Sequence, residues 1–271
     1  MAQRLKLIKP MNAQIQLWRE LKHADDRREQ SLFLAEGFKV IQELYKSEWD
    51  IEALLVLDEK KERLETFLFA IPSTKILYGL TETQWDRLSQ DRESEGLIAV
   101  VKKPPQKDVY QELKGHPDRL LLLHQVNNPN NLGALLRTAQ WFGFDTVLLG
   151  TGSVDFTNPK VVRTSMGSLF HLNIVDRVDF YETMPAIKKD YFVIGSHVKK
   201  GIHPHPCKQK TALLLGSESH GIPGSLLKSA DELWSIPGVV DSDSLSLPQA
   251  AAIMMYECAS PFRSNRWDVS S

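Results

Sequence analysis

Three stretches of the 271-residue chain concentrate side chains able to hold a ligand or steer charge. The first, HQVNNPNNLGALLRTAQWFGF, sets four asparagines around Pro129 and places Arg137 among apolar positions of a helix-like run. Asn130 or Asn131 can cap that helix, Leu132, Leu135, Leu136, Ala139 and Phe142 form its apolar stripe, and Gly143 stops it. Capping accounts for one asparagine, not four, and an arginine in the second turn opposes the helix macrodipole. Arg137 is thus either a functional cation or a structural one, exposed or paired with a nearby acid. The second stretch, LLLGSESHGIP, ends an apolar strand in Gly216 and continues into a turn carrying Glu218 and His220. Glycine there lets a ligand approach the main chain closely, although the same pattern also makes an ordinary tight turn. The third, SIPGVVDSDSLSLPQAAAIMMYE, spaces Ser242, Ser244 and Ser246 on alternate positions ahead of an apolar helix; Ser244 or Ser246 can cap it and Pro248 fits its first turn.

The elements that must position these stretches divide around VVKKPPQKDVYQELKGHPDR, where paired prolines, charges and Gly115 interrupt the apolar pattern. We place one domain over residues 1–105, a linker over 106–118 and a second domain over 119–271. In the first, SLFLAEGFKVIQELYK reads as a strand running into a helix, IEALLVLD and EGLIAVVKK as strands, and TETQWDRLSQ as a helix, giving a small α/β domain. In the second, LLLLHQV, DTVLLG, HLNIV, YFVIGSHV, TALLLG and ELWSI alternate with helix-like segments, the pattern of βαβ units in a largely parallel sheet. Ligands bind beyond the carboxyl ends of such strands, which is where the three polar stretches fall.

Composition narrows the function classes. A 42% hydrophobic content supplies a core, and no apolar run approaches the roughly 20 residues of a membrane span, so the expected location is cytoplasmic. Cys207 and Cys258 belong to no CxxC spacing, and no metal is expected; His203 and His205 in HPHP lack a supporting carboxylate or cysteine cluster. GTGSVD, Gly150 to Asp155, lacks the last glycine of a dinucleotide loop and reads as a turn, and the scattered tryptophans read as core or interface. With 33 basic and 34 acidic residues the net charge is −1, so affinity for a polyanion has to come from local patches. The clearest lies in Met1 to Lys22, with Arg4, Lys6, Lys9, Arg19 and Lys22; Lys102 with Lys103, Lys188 with Lys189 and Lys199 with Lys200 are smaller, and a solvated face is the ordinary reading of each.

In order and spacing, the three stretches resemble the SpoU, or TrmH-type, RNA ribose methyltransferases of the SPOUT superfamily. Asn131, Gly133, Arg137, Thr138 and Ala139 match a first motif NxGxxxRTA, and Gly216, Ser217, Glu218 and Gly221 match GSExxG after a strand. Ile236, Pro237, Ser244 and Leu245 match a third motif, IP followed by SLNVxxAxxI, in which Ser246 replaces asparagine and Leu247 also departs. NPKVVRTSMGSLFHLNIV resembles the segment that follows the second strand of that catalytic domain, and RREQSLFLAEGFKVIQELYK and EGLIAVVKKP resemble the small α/β RNA-binding domain often attached to it.

The resemblance implies a C-terminal trefoil knot where the patterns alone imply an open parallel sheet, and chain threading is otherwise rare. It further implies S-adenosylmethionine as cofactor, held by Gly216, Ile236 and Leu245, a homodimer whose active site draws on both subunits, and RNA, most naturally ribosomal RNA, as substrate. Asn131, Arg137, Glu218, Ser244 and Ser246 fall on the catalytic positions. A guanidinium stays protonated, so Arg137 suits a phosphate clamp and alkoxide stabiliser better than a base. A second reading, motivated by Ser246 and the near-neutral charge, is a non-catalytic RNA-binding or ribosome-assembly protein that kept the fold.

Overall fold

The computed structural model describes residues 7–69, 76–91, 93–239 and 244–259. They form two compact units, one running to Pro105 and including Thr157–Phe170, the other made of Gln106–Phe156 and the chain from His171 onward.

The first unit follows the order α1 (Asn12–Glu20), α2 (Ala24–Gln30), β1 (Leu32–Glu36), α3 (Phe38–Tyr45), β2 (Ile51–Leu57), α4 (Lys61–Phe69), β3 (Ile76–Leu80), α5 (Glu82–Trp85) and β4 (Leu97–Lys102). Its sheet order is β1-β4-β2-β3, with β4 antiparallel to both neighbours and β2 parallel to β3. Ile15, Trp18 and Leu21 lie against Leu34, Leu55 and Leu80 on one face of this sheet. The helix expected over TETQWDRLSQ shrinks to the single turn α5, because the Glu36 carboxylate accepts hydrogen bonds from the Ser89 hydroxyl and the Gln90 amide and draws the chain out of helical geometry. Strand β3 is not announced by the sequence: its pattern is short and holds Gly79, which weakens a strand signal. Thr157–Phe170, with α8 (Pro159–Thr164), builds into this unit through Arg163, 2.7 Å from Asp91, Thr157, whose hydroxyl accepts from the buried Arg27, and Phe170, 5.4 Å from the Trp49 ring.

The second unit runs α6 (Val109–Lys114), β5 (Arg119–Leu123), α7 (Pro129–Phe142), β6 (Thr146–Gly150), β7 (Asn173–Val178), α9 (Phe180–Asp190), β8 (Phe192–Ser196), β9 (Thr211–Leu215), α10 (Gly224–Leu227), β10 (Glu232–Trp234) and α11 (Leu247–Ala259). Its six strands are all parallel in the order β10-β8-β9-β5-β6-β7. The central runs RLLLL and TALLL are almost wholly buried, as strands covered on both faces must be, which explains their unbroken apolar character. Order reverses between β5 and β9, so this is the switch point beyond which a crevice forms. Helix α11 packs along α7 and touches β9.

One local expectation changes. The cap of α7 is Asn128, whose side chain accepts from the Asn130 amide at 2.9 Å with Pro129 at the first helical position, so neither Asn130 nor Asn131 is the cap. Cys207 and Cys258, distant in sequence, are neighbours: the Cys207 amide donates to the Cys258 carbonyl at 3.3 Å, and both thiols are free and buried.

His124 closes β5 as a buried imidazole whose Nε2 has no partner among the described residues, and burial holds it below the usual 6.5. The unfolded chain takes up that proton first, so His124 leaves stability unchanged above pH 6.5 and lowers it as pH falls below that value. In urea unfolding, wild type should lose stability relative to His124→Leu between about pH 6.5 and 5; parallel curves would show that the buried imidazole titrates normally.

Candidate functional site

Beyond the carboxyl ends of β8 and β9 the second unit encloses a cavity of about 650 Å³, within the range of ligand and cofactor pockets. One wall is the turn Gly216–Gly221 after β9, a second is Ser196–Val198 after β8, and the third is the entry to α11, Ser244–Leu247, with Ala250 and Met254 from its first turns. Ile222, Leu227 and Ile236 complete an apolar floor under these polar edges. A site with apolar walls and a few convergent polar groups suits a ligand that is part ring system and part charged tail.

The turn is built from backbone constraints. A Cβ on Gly216 would lie 2.2 Å from the carbonyl carbon and oxygen of Gly221, so only glycine lets the two strands of the turn approach this closely. Gly221 has φ +64°, in the left-handed region, and its amide donates to the Ser217 carbonyl at 2.8 Å. The Ser217 hydroxyl accepts from the His220 amide at 3.2 Å. Glu218 is aimed the other way: its Oε1 accepts from the Leu247 amide at 3.3 Å, placing a carboxylate at the positive end of α11. Ser246 occupies the cap position of that helix, its carbonyl accepting from the Ala250 amide at 3.0 Å. One carboxylate thus ties the GSESHG turn to the start of the apolar helix.

Of the residues singled out from sequence, Gly216, Ile236, Leu245, Glu218, Ser244 and Ser246 all line this one cavity. Ser242 lies outside the described residues. Asn131 and Arg137 do not line it; they sit on α7, Asn131 half-buried in the first turn and Arg137 exposed in the third rather than the expected second, because the helix begins at Pro129. Neither side chain has a hydrogen-bond or ion-pair partner among the described residues, so the structural reading of Arg137 as half of an ion pair finds no acid here. Beside Arg137, Trp141 is 76% exposed, and Tyr256 and Ile253 of α11 are 49% and 40% exposed, an apolar surface on the two packed helices.

His197 is a cavity residue that the sequence does not announce, because nothing in HVKK signals a partner. It follows β8 directly, lines the cavity, and its Nδ1 accepts from the amides of Lys199 and Lys200, each at 3.0 Å. With Nδ1 accepting, the ring proton resides on Nε2, leaving a hydrogen-bond donor. His205 is instead held by Glu232 at 2.9 Å, and that hydrogen bond raises its pKa above the usual value. No group of three His, Cys, Asp or Glu side chains suited to a metal occurs among the described residues. GTGSVD is a turn, with Gly152 at φ +85° and the Ser153 amide donating to the Gly150 carbonyl. Of the N-terminal basic patch, Arg4 and Lys6 lie outside the described residues.

Fold and cavity define a two-unit α/β protein with a ligand pocket at the carboxyl edge of a parallel sheet. Residues 118–256 match the SpoU rRNA Methylase family, and residues 12–99 match the MRM3-like substrate binding domain. The chain is 29% identical, over 90% of its length and 95% of the relative's, to the 23S rRNA (guanosine(2553)-2'-O)-methyltransferase RlmP of Bacillus subtilis. It is 25% identical to the 23S rRNA (guanosine-2'-O-)-methyltransferase RlmB of Bordetella pertussis, over 76% of this chain and 87% of that one. Among solved structures it superposes on a TrmH-family protein described as a putative RNA methyltransferase from Porphyromonas gingivalis, with TM-score 0.78, 28% identity and coverage of 92% and 98%. The chain belongs to the SpoU rRNA methylase family.

Gly216→Ala tests how the cavity is built. The added methyl has to displace the Gly221 backbone, so the unfolding midpoint in urea should fall by an amount equivalent to about 1–3 kcal/mol; an unchanged midpoint would mean the turn relaxes without cost.

Proposed function

We propose that this protein transfers a methyl group from S-adenosylmethionine to a ribose 2′-hydroxyl of ribosomal RNA. The observation that carries the reading is the convergence of the Gly216–Gly221 turn and the Ser244–Leu247 helix entry on one cavity, joined by Glu218, in a chain of this family. Gly216, Ile236 and Leu245 hold the cofactor, the first two through a close-packed backbone and an apolar wall. The fit is chemical as well as volumetric, since the apolar floor suits an adenine face and the turn amides suit the polar tail.

When bound, S-adenosylmethionine supplies an electrophilic methyl on a sulfonium, which is already a good leaving group. The chain's task is then to align the ribose oxygen in line with the methyl and to manage a weakly acidic proton. Ser244 positions the hydroxyl at the cavity edge. Arg137, permanently cationic, clamps a neighbouring phosphate in bidentate fashion and stabilises the developing alkoxide, while phosphate, water or Glu218 accepts the proton. Asn131 holds the ribose or orients Arg137. Ser246 replaces the family's amide with a shorter group that donates or accepts but cannot present both in the same geometry.

Arg137 and Asn131 do not line the cavity of their own chain, which favours a second copy bringing them to it. The exposed apolar surface of α7 and α11, with Trp141, Ile253 and Tyr256 beside Arg137, supports a homodimer in which each cavity is completed by the other subunit. The cavity's composition supports a trefoil knot, because the turn after β9 and the segment after β10 meet there before α11 returns to α7. Residues 1–105 serve as the RNA-binding domain and 119–271 as the methyltransferase domain, a division supported by the two family matches. The expected working place is the cytoplasm; among the described residues no helix is long and apolar enough to cross a membrane.

Labelled S-adenosylmethionine and undermethylated ribosomal RNA should yield a single 2′-O-methyl mark on mapping, whereas cofactor binding without transfer to any cellular RNA would favour the non-catalytic reading. Arg137→Ala should lower kcat by about a hundredfold or more while cofactor affinity holds; full activity would remove Arg137 from the reaction. Ser246→Asn should keep or raise kcat, and a large loss would mean the helix entry is built around serine.

A further inference from the structure

Two imidazoles line the cavity, and they are held differently. His220, in the turn after β9, is exposed, and its ring has no hydrogen-bond partner among the described residues. His197, directly after β8, is half-buried, and its ring is fixed: the Lys199 and Lys200 amides both donate to Nδ1 at 3.0 Å. A nitrogen that accepts from two backbone amides carries no proton, so the ring proton sits on Nε2. That nitrogen has no partner among the described residues. Because Nδ1 faces the turn it accepts from, the Nε2–H bond is directed away from that turn.

The backbone fixes the ring's place as well as its direction. In the sheet β8 lies between β10 and β9, so His197 stands between Ile236, which follows β10, and the Gly216–Gly221 turn, which follows β9. Its amide donates to the Trp234 carbonyl at 2.9 Å, two residues before Ile236. A Cβ on Gly195 would lie 3.1 Å from Leu227, and residues two apart on a strand share a face, so His197 lies on the side of the sheet that carries the apolar floor. A donor in this setting is satisfied by water or by an acceptor on a ligand. Since the ring is already immobilised, a ligand acceptor gains the bond with little ordering cost.

We propose that His197 is a cofactor-binding residue, its Nε2–H donating to a neutral acceptor on the nucleoside half of S-adenosylmethionine, an adenine ring nitrogen or a ribose oxygen. The inference rests on the methyl-transfer reading of the cavity and adds a side-chain hydrogen bond to the contacts of Gly216, Ile236 and Leu245. The floor beside His197 suits the nucleoside and the amides of the Gly216–Gly221 turn suit the charged tail, so different walls hold the two halves. A carboxylate set against Leu227 and Ile236 would lose hydration without a countercharge, whereas a neutral acceptor needs only the one donor. His197 is thus a preformed donor that fixes how the nucleoside lies, and with it the direction of the methyl group.

The test measures calorimetric binding of two ligands to the full-length chain: S-adenosylhomocysteine, which has both halves, and methylthioadenosine, which lacks the amino-acid tail. His197→Asn keeps an acceptor for the following amides, as an Asx turn does, and has no group at the position of Nε2. Affinity for both ligands should fall by the same factor, about five- to tenfold, the worth of one neutral hydrogen bond. Unchanged affinity for S-adenosylhomocysteine would overturn the proposal. A loss confined to S-adenosylhomocysteine would overturn it too, by putting the donor on the tail. Wild type answers independently of the variant's stability: with isotope-labelled histidine, saturating S-adenosylhomocysteine should slow solvent exchange of an imidazole Nε2 proton, and no slowed imidazole proton would contradict the inference. Wild type that binds S-adenosylhomocysteine with His197 unengaged sinks this inference alone, whereas wild type that binds neither ligand sinks the methyl-transfer reading with it.

Discussion

The cavity depends on one close approach, the passage of Gly216 against the carbonyl of Gly221, because any side chain at Gly216 would hold the turn open. That closeness brings Glu218 to the start of α11, where its carboxylate meets the Leu247 amide at 3.3 Å and the favourable end of the helix dipole. From there the position of α11 follows, and with it the packing of α11 along α7, the cavity wall at Ser244–Leu247 and the apolar surface around Trp141. A backbone constraint within one short turn therefore organises elements more than a hundred residues apart in sequence.

Electrostatics in this protein are local. The chain as a whole is nearly neutral: pairs such as Lys188 with Asp231 and Arg163 with Asp91 are internally satisfied, while other cations, Arg137 among them, are exposed without an ion pair among the described residues. Pairs on the surface contribute little to stability, so the unpaired cations are the informative ones. Arg137 is one of them, and it lies on the helix that carries the first motif, where an exposed cation can serve recognition.

Much of the second unit is legible in the sequence because buried parallel strands read as unbroken apolar runs, and every run expected there forms a strand. Strand β3 is not, since Gly79 and a short exposed start dilute its pattern, and α5 falls short of its expected length because Glu36 captures the residues after it. The six cavity residues Gly216, Glu218, Ile236, Ser244, Leu245 and Ser246 are legible as motifs. Their meeting is not, because it is made by the Gly216–Gly221 approach and the order of strands, which no local pattern encodes. His197 and the incorporation of Thr157–Phe170 into the first unit are invisible for the same reason: both depend on hydrogen bonds and packing between residues whose types alone announce nothing.

On the proposed function, the cavity between the Gly216–Gly221 turn and the entry of α11 is the place of the methyl donor. A crystal structure grown with S-adenosylhomocysteine, the product that remains after transfer, puts this to the proof. Ligand density is expected in that cavity, against the backbone of Gly216 and Leu245 and with Glu218 still bonded to the Leu247 amide. Density at any other site, or a crystal saturated with ligand whose cavity stays empty, would contradict it.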